Sequence, residues 1–166
     1  MAQDSPSFTA EVCGNGHVTT SAVERTPAWI EKFCSICGSA TIRECPACNA
    51  PVKGQDNVYW DGSEYVPDAY NPPNHCHNCG APFPWTRARL QAAKEHAAEL
   101  EELDEHERQQ LPGIIDDLAS GGPRTELAVG RVKRILKKVG PTVGSGLQKI
   151  VVDVASEAAK KLLLGL

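Results

Sequence analysis

Eight side chains in this sequence have the types and spacing of metal ligands. They fall in four pairs: Cys13-x3-His17, Cys34-x2-Cys37, Cys45-x2-Cys48 and Cys76-x2-Cys79. A Cys-x2-Cys pair forms a tight knuckle whose two sulfurs can reach one zinc ion at about 2.3 Å. Such a turn favours a left-handed residue just after the second cysteine. Gly38 and Gly80 suit that position and Asn49 tolerates it. Gly14-Asn15-Gly16 gives the longer Cys13–His17 turn similar freedom. Eight ligands fill two tetrahedral sites with nothing left over. Disulfides or small buried thiols explain this regular pairing less well, and iron–sulfur ligation fits the dispersed pairs and the single histidine less well than zinc.

Two groupings of the pairs are open. Sequential grouping puts Cys13, His17, Cys34 and Cys37 on one metal and Cys45, Cys48, Cys76 and Cys79 on the next, as two zinc ribbons in series. Crossed grouping gives a RING-like cross-brace. Seven residues separate Cys37 from Cys45, and the histidine sits in the first pair, so sequential ribbons are favoured. His75 and His77 flank Cys76 and are read as exposed neighbours of the knuckle, because the thiolates already complete that site. His96 and His106 are read as helix-surface residues.

Other chemistry finds little support. A catalytic zinc keeps an open position, and two four-ligand sites have none. No cysteine lies outside the set to act as a nucleophile, and there is no phosphate loop, nucleophile elbow or H-E-x-x-H run. Glu101-Glu102 and Asp116-Asp117 read as helix-surface charge rather than as an acid–base pair. Catalysis is therefore not expected; no catalytic and no cofactor-binding residue is assigned. The cofactors expected are two structural Zn2+ ions.

The elements that would hold the ligands are short strands. Val18 to Val23 is β-prone, and Thr41-Ile42-Arg43-Glu44 would join the two ribbons. Asp61-Gly62, flanked by Val58-Tyr59-Trp60 and Tyr65-Val66, is a hairpin signal. A zinc-stabilised, β-rich domain of two tandem ribbons is expected over residues 8–85. A domain this small would lean on its metals for stability.

Cysteine disappears after Cys79, and Ala, Glu, Leu and Lys take over beyond Thr86. An α-helical C-terminal region is expected: an acidic helix over 86–110 capped by Thr86, a linker over 111–123 around Pro112-Gly113 and Gly121-Gly122-Pro123, and a basic amphipathic region over 124–166. The acidic helix carries an apolar stripe of Leu90, Ala93, Ala97, Leu100 and Leu103. A helix from Thr125 to Val139 presents Ala128, Val132, Ile135, Leu136 and Val139. A last helix would run from about Thr142 or Leu147 to Leu164 on Leu147, Ile150, Val151, Val154, Ala158 and Leu162.

Charge follows the same divisions. Residues 1–85 hold four basic and nine acidic side chains, residues 86–123 again four and nine, and residues 124–166 nine and three. An acidic metal half, more acidic still with its thiolates bound, disfavours nucleic acid as a partner. The basic tail would fold back on the acidic helix or pack on a protein partner. Its peripheral contact with an anionic membrane is open but less favoured. The first 15 residues carry no secretory signal and no apolar run is long enough to span a bilayer, so a cytoplasmic setting with reduced thiols is expected.

Cys13-Gly14-Asn15-Gly16-His17, Phe33-Cys34-Ser35-Ile36-Cys37-Gly38, Cys45-Pro46-Ala47-Cys48 and His75-Cys76-His77-Asn78-Cys79-Gly80-Ala81-Pro82-Phe83-Pro84-Trp85-Thr86 together resemble an uncharacterised bacterial family of tandem zinc-ribbon proteins, a domain of unknown function. The resemblance covers roughly residues 8–88. Lys149 to Glu157 is similar to C-terminal segments of the same group. The resemblance implies a metal-binding bacterial protein and no particular reaction. The reading reached is a zinc-binding adaptor whose ribbons form a scaffold and whose helical tail docks an unknown protein partner or self-associates. The docking surface expected is the hairpin near Trp60 and Tyr65 or the apolar stripe of the last helix. The alternatives are a RING-like module assisting ubiquitin-type transfer and a nucleic-acid-binding zinc-ribbon protein.

Overall fold

The structure is a computed structural model that describes residues 7–56 and 70–165, apart from the side chain of Thr142. The chain divides into two compact units, 1–87 and 88–166.

Among the described residues the first unit contains five short strands: β1 (Ser7–Thr9), β2 (Glu11–Cys13), β3 (Val18–Thr20), β4 (Thr41–Ile42) and β5 (Lys53–Asp56). A 3-10 turn covers Pro27–Trp29. They form two small antiparallel sheets, β1–β5 and β3–β2–β4. Backbone bonds stitch the sheets together: Ala10 N–H donates to the Val52 carbonyl and Val52 N–H to the Arg43 carbonyl. Gly54 lies where this stitching is tightest. A Cβ there would sit 2.2 Å from the Ser21 carbonyl oxygen and 2.7 Å from that of Phe8, so no side chain can be accommodated. The Asp61-Gly62 hairpin, with Tyr59, Trp60 and Tyr65, lies outside the described residues.

The apolar core of this unit is small: Ala10, Val12, Val52, Phe83 and Trp85, joined by the ligand cysteines Cys45 and Cys76. Phe83 and Trp85 stack with centroids 4.6 Å apart, and the Trp85 indole N–H donates to the Pro73 carbonyl at 3.0 Å. Trp85 also abuts Gly16, whose φ is +90°: a Cβ at Gly16 would lie 3.2 Å from that of Trp85. Phe83 and Trp85 of the Pro-Phe-Pro-Trp run thus share one core with Cys45 and Cys76, and Trp85 also meets the turn of the first ligand pair.

The second unit is helical. The boundary at Arg87 falls within α1 (Pro84–Ala98), which is followed by α2 (Glu105–Ser120), α3 (Thr125–Lys138), α4 (Gly140–Val154) and α5 (Glu157–Leu164). Their apolar faces form one core, with Leu111, Ile115, Leu118, Val132 and Leu147 fully buried. The basic segment does fold against the acidic one: Lys138 pairs with Glu107 at 2.6 Å and with Asp104 at 3.2 Å.

Four helix boundaries differ from the sequence reading. Thr86 does not cap α1, which begins at Pro84, a residue suited to a first helical position. The Thr86 hydroxyl instead donates to the Asn74 carbonyl at 2.8 Å. The acidic helix is not continuous to 110: it stops at Ala98, and a capping box of Asp104 and Glu107 starts a new one. Residues 111–120 are not a linker, since α2 runs through Pro112 to Ser120. Proline there forgoes one helical bond and costs about 3 kcal/mol, outweighed by burial of Leu111, Ile114, Ile115 and Leu118 on the same helix. The last helix is broken at Ala155-Ser156, where Ala155 is extended with ψ 147°. The Ser156 hydroxyl accepts from Ala159 N–H, and Ser156 N–H donates to the Leu118 carbonyl at 2.9 Å. The break shifts the buried phase by one residue. Ala159 and Leu163 point inward, while the expected Ala158 and Leu162 face solvent.

Candidate metal centres

Three of the four ligand pairs are built alike. In the first, Cys34 N–H donates to the Ser39 carbonyl and Gly38 N–H to the Cys34 carbonyl, with Phe33 bridged to Ala40. The second repeats this with Cys45–Ala50, Asn49–Cys45 and Glu44–Pro51, and the third with Cys76–Ala81, Gly80–Cys76 and His75–Pro82. The residue after the second cysteine is left-handed in all three: φ is +70° at Gly38, +59° at Asn49 and +72° at Gly80. The turn tucks the first cysteine inward and leaves the second at the surface, so Cys34, Cys45 and Cys76 are buried while Cys37 and Cys79 are exposed. The Cys13–His17 pair is a hairpin turn between β2 and β3, closed by Cys13 N–H donating to the His17 carbonyl at 2.9 Å.

The pairs group sequentially. Cys13, His17, Cys34 and Cys37 place their donor atoms within 4.8 Å of one another, and so do Cys45, Cys48, Cys76 and Cys79. The β2–β4 pairing explains the first group. Cys13 ends β2 opposite Thr41, which lies just past the Cys34–Cys37 knuckle. The bond between Val52 and Arg43 helps position the second.

The separations test whether these donors fit a metal. Sulfurs about 2.3 Å from a tetrahedral zinc lie about 3.8 Å from each other, and an imidazole nitrogen about 3.6 Å from each sulfur. Cys13–Cys37, Cys45–Cys79 and Cys48–Cys76 are separated by 3.7, 3.8 and 3.6 Å. His17 faces the group with Nδ1, at 3.6 Å from Cys13, 3.3 Å from Cys37 and 3.7 Å from Cys34. These match the edges of a tetrahedron that one ion would occupy, and they exceed the roughly 2.05 Å of a disulfide. His75 and His77 are exposed and belong to neither group.

Electrostatics favour a cation at both centres. The Ser39 backbone N–H, aided by Asn15 and His17, draws the Cys37 thiol down to about 6. The Ala50 N–H and the Asn78 amide do the same to Cys48, also to about 6. The Ala81 N–H lowers Cys79 in turn, but the sulfurs of Cys48, Cys45 and Cys76, together with desolvation, outweigh it and push that thiol up to about 12. Burial raises Cys13 against hydrogen bonds from the backbone of His17 and Asn15. Within each centre, then, one sulfur is drawn toward ionisation while another is pushed up, by burial at Cys13 and chiefly by neighbouring sulfurs at Cys79. A divalent cation relieves that repulsion.

Three supporting residues escaped the sequence reading. The Asn15 side-chain amide donates to Cys37 Sγ at 3.4 Å, and that of Asn78 to Cys48 Sγ at 3.6 Å. Each asparagine sits inside one ligand pair and bonds a sulfur of the other pair at the same centre. Their position between ligands was the available signal. A third is Glu11, 2% exposed, which accepts from Glu31 N–H at 2.8 Å and Thr19 Oγ at 2.9 Å and lies 3.6 Å from Arg43. It ties β3, β4 and the approach to Cys34 onto β2. Nothing in its local sequence marks it.

No curated protein and no solved structure matches the chain. A family model does, over residues 7–163, and the chain belongs to the family described as "Uncharacterized protein conserved in bacteria (DUF2321)".

Proposed function

We propose that the first unit is a pair of structural zinc ribbons and that the protein acts as an adaptor without catalysis of its own. The observation that carries the metal reading is the sulfur–sulfur spacing of 3.6–3.8 Å in two four-donor groups. Three thiolates with an imidazole, and four thiolates, are donor sets that suit zinc. Four donors per centre leave no position for water or substrate, which supports a structural role. Elemental analysis of purified protein should return two zinc ions per chain. A value near one, or iron in place of zinc, would sink this reading.

The adaptor reading rests on an apolar surface at the first knuckle. Trp29, Phe33 and Ile36 are 61%, 63% and 73% exposed, and Ile30 lies beside them in sequence. Side chains of this kind cluster at protein-binding surfaces rather than on inert ones. They replace the stripe of the last helix as the candidate surface, since Leu147, Val151 and Val154 are buried within the second unit. A photo-crosslinker at Ile36 in bacterial cells should trap one discrete protein, and Trp29→Ala with Phe33→Ala should abolish the adduct. A diffuse smear unaffected by those substitutions would retire the adaptor role while leaving the zinc reading intact. Sequential grouping of the ligands argues against the RING-like alternative, and the acidic composition of the first unit against nucleic acid.

A further inference from the structure

The second unit has an open cleft of about 280 Å3 between α2 and α3, in which His106, Gln110 and Arg134 are exposed and Arg131 is half-buried. Its polar wall is formed by Arg131 and Arg134 from α3 facing His106 and Gln110 from α2, and its floor by Ile114 and Ile135, both nearly fully buried. Other cations of this unit reach across to an acceptor: Lys94 pairs with Asp116, Arg124 with Asp117 and Lys138 with Asp104 and Glu107, while Lys133 donates to the Leu162 carbonyl. Arg131 and Arg134 pair with no carboxylate among the described residues. Glu107 is the single acid on the cavity wall, and Lys138 already holds it at 2.6 Å. Gln110 donates its amide to His106 Nε2 at 2.8 Å, so two further polar groups face the arginines from the opposite helix.

We infer that this cavity is a binding site for a small phosphate-bearing molecule. Two guanidinium forks present paired N–H groups that match a tetrahedral oxyanion, and the two arginines would bind the phosphate. Gln110 would turn its amide to a third oxygen. The volume is at the small end of ligand cavities, and the isoleucine floor gives a few carbon atoms an apolar seat. A small phosphoester fits better than a bare ion. The site lies entirely in the helical unit and does not depend on the zinc reading.

The test uses the full metal-loaded chain, with inorganic phosphate and phenyl phosphate as probes, followed by calorimetry and by NMR of the arginine Nε–H groups. The site requires saturable binding with one equivalent, tighter for phenyl phosphate, and shifts at Arg131 and Arg134. Arg131→Ala with Arg134→Ala should weaken it at least roughly ten-fold. Arg131→Lys with Arg134→Lys keeps the charge and loses the forks, and should weaken it several-fold. Lys137→Ala with Lys149→Ala removes equal charge away from the cavity and should change affinity by less than about two-fold. Equal losses in the cavity and control variants, or full binding by the lysine pair, would reduce the effect to diffuse attraction and overturn the site. Binding to phosphatidic acid vesicles without binding to either soluble probe would also overturn it, in favour of a membrane surface.

Discussion

Single side chains at the metal centres divide into donors and the groups that aim them. Eight donors are visible as spacing, but Asn15 and Asn78 act on sulfurs that belong to the other pair of each centre. Their amides stabilise thiolates that would otherwise repel, and outer hydrogen bonds of this kind typically contribute on the order of ten-fold in metal affinity. Asn15→Ala should therefore raise the zinc dissociation constant about ten-fold at the first centre and leave the second unchanged. Competition with a chromophoric chelator would resolve the two. An equal effect at both centres would show that Asn15 acts on the fold and not on Cys37.

Elements are where backbone geometry decides. Gly54 has no space for a methyl group, because the carbonyl oxygens of Ser21 and Phe8 close over it within β5. Gly54→Ala should unfold the first unit even with zinc present, seen as loss of its NMR dispersion. A soluble, dispersed variant with two bound zinc ions would contradict that packing. In the helical unit, the Asp104–Glu107 capping box starts α2 and carries a pH signature. Backbone N–H of Glu107, and then Lys138, hold the Asp104 carboxyl below its ordinary 3.8. A lowered folded value stabilises the native state above the unfolded value and is lost as pH falls through the folded one. Melting temperatures of wild type and Asp104→Ala should therefore differ most above the ordinary carboxylate range, and the gap should shrink as the pH falls below it. A constant difference across that range would assign the effect to the backbone alone.

The whole chain consists of two units stabilised by different means. The first has a thin core in which Cys45 and Cys76 are themselves core residues. A structural zinc contributes on the order of 10–16 kcal/mol apparent at neutral pH, comparable to the entire net stability of a domain. The second unit has a continuous apolar core without any metal ligand. Chelation should thus abolish the tertiary signals of residues 7–56 and 70–87 while most of the helical circular dichroism persists. Concerted loss of both would mean that the helices too depend on the metals. Among the described residues, no helix is long and apolar enough to cross a membrane.

How much of this was legible differs between the units, for a physical reason. Metal coordination is a local constraint, so a Cys-x2-Cys spacing and its left-handed residue carry their geometry within five positions. The donors and the turns at Gly38, Asn49 and Gly80 could be read directly. Helix breaks were less legible, although Asp104-x2-Glu107 and Ser156 were local signals that a continuous apolar stripe overrode. The phase slip at Ala155, which buries Leu163 instead of Leu162, follows from Ser156 docking on the Leu118 carbonyl, a contact between distant segments. By itself the sequence determined four pairs of metal-type donors in one half and a helical other half. Only the tertiary structure decided which pairs share a centre, why Gly54 admits no side chain and that Arg131 and Arg134 meet no carboxylate among the described residues. Each of those depends on what long-range packing brings into contact, and residue spacing along the chain does not encode it.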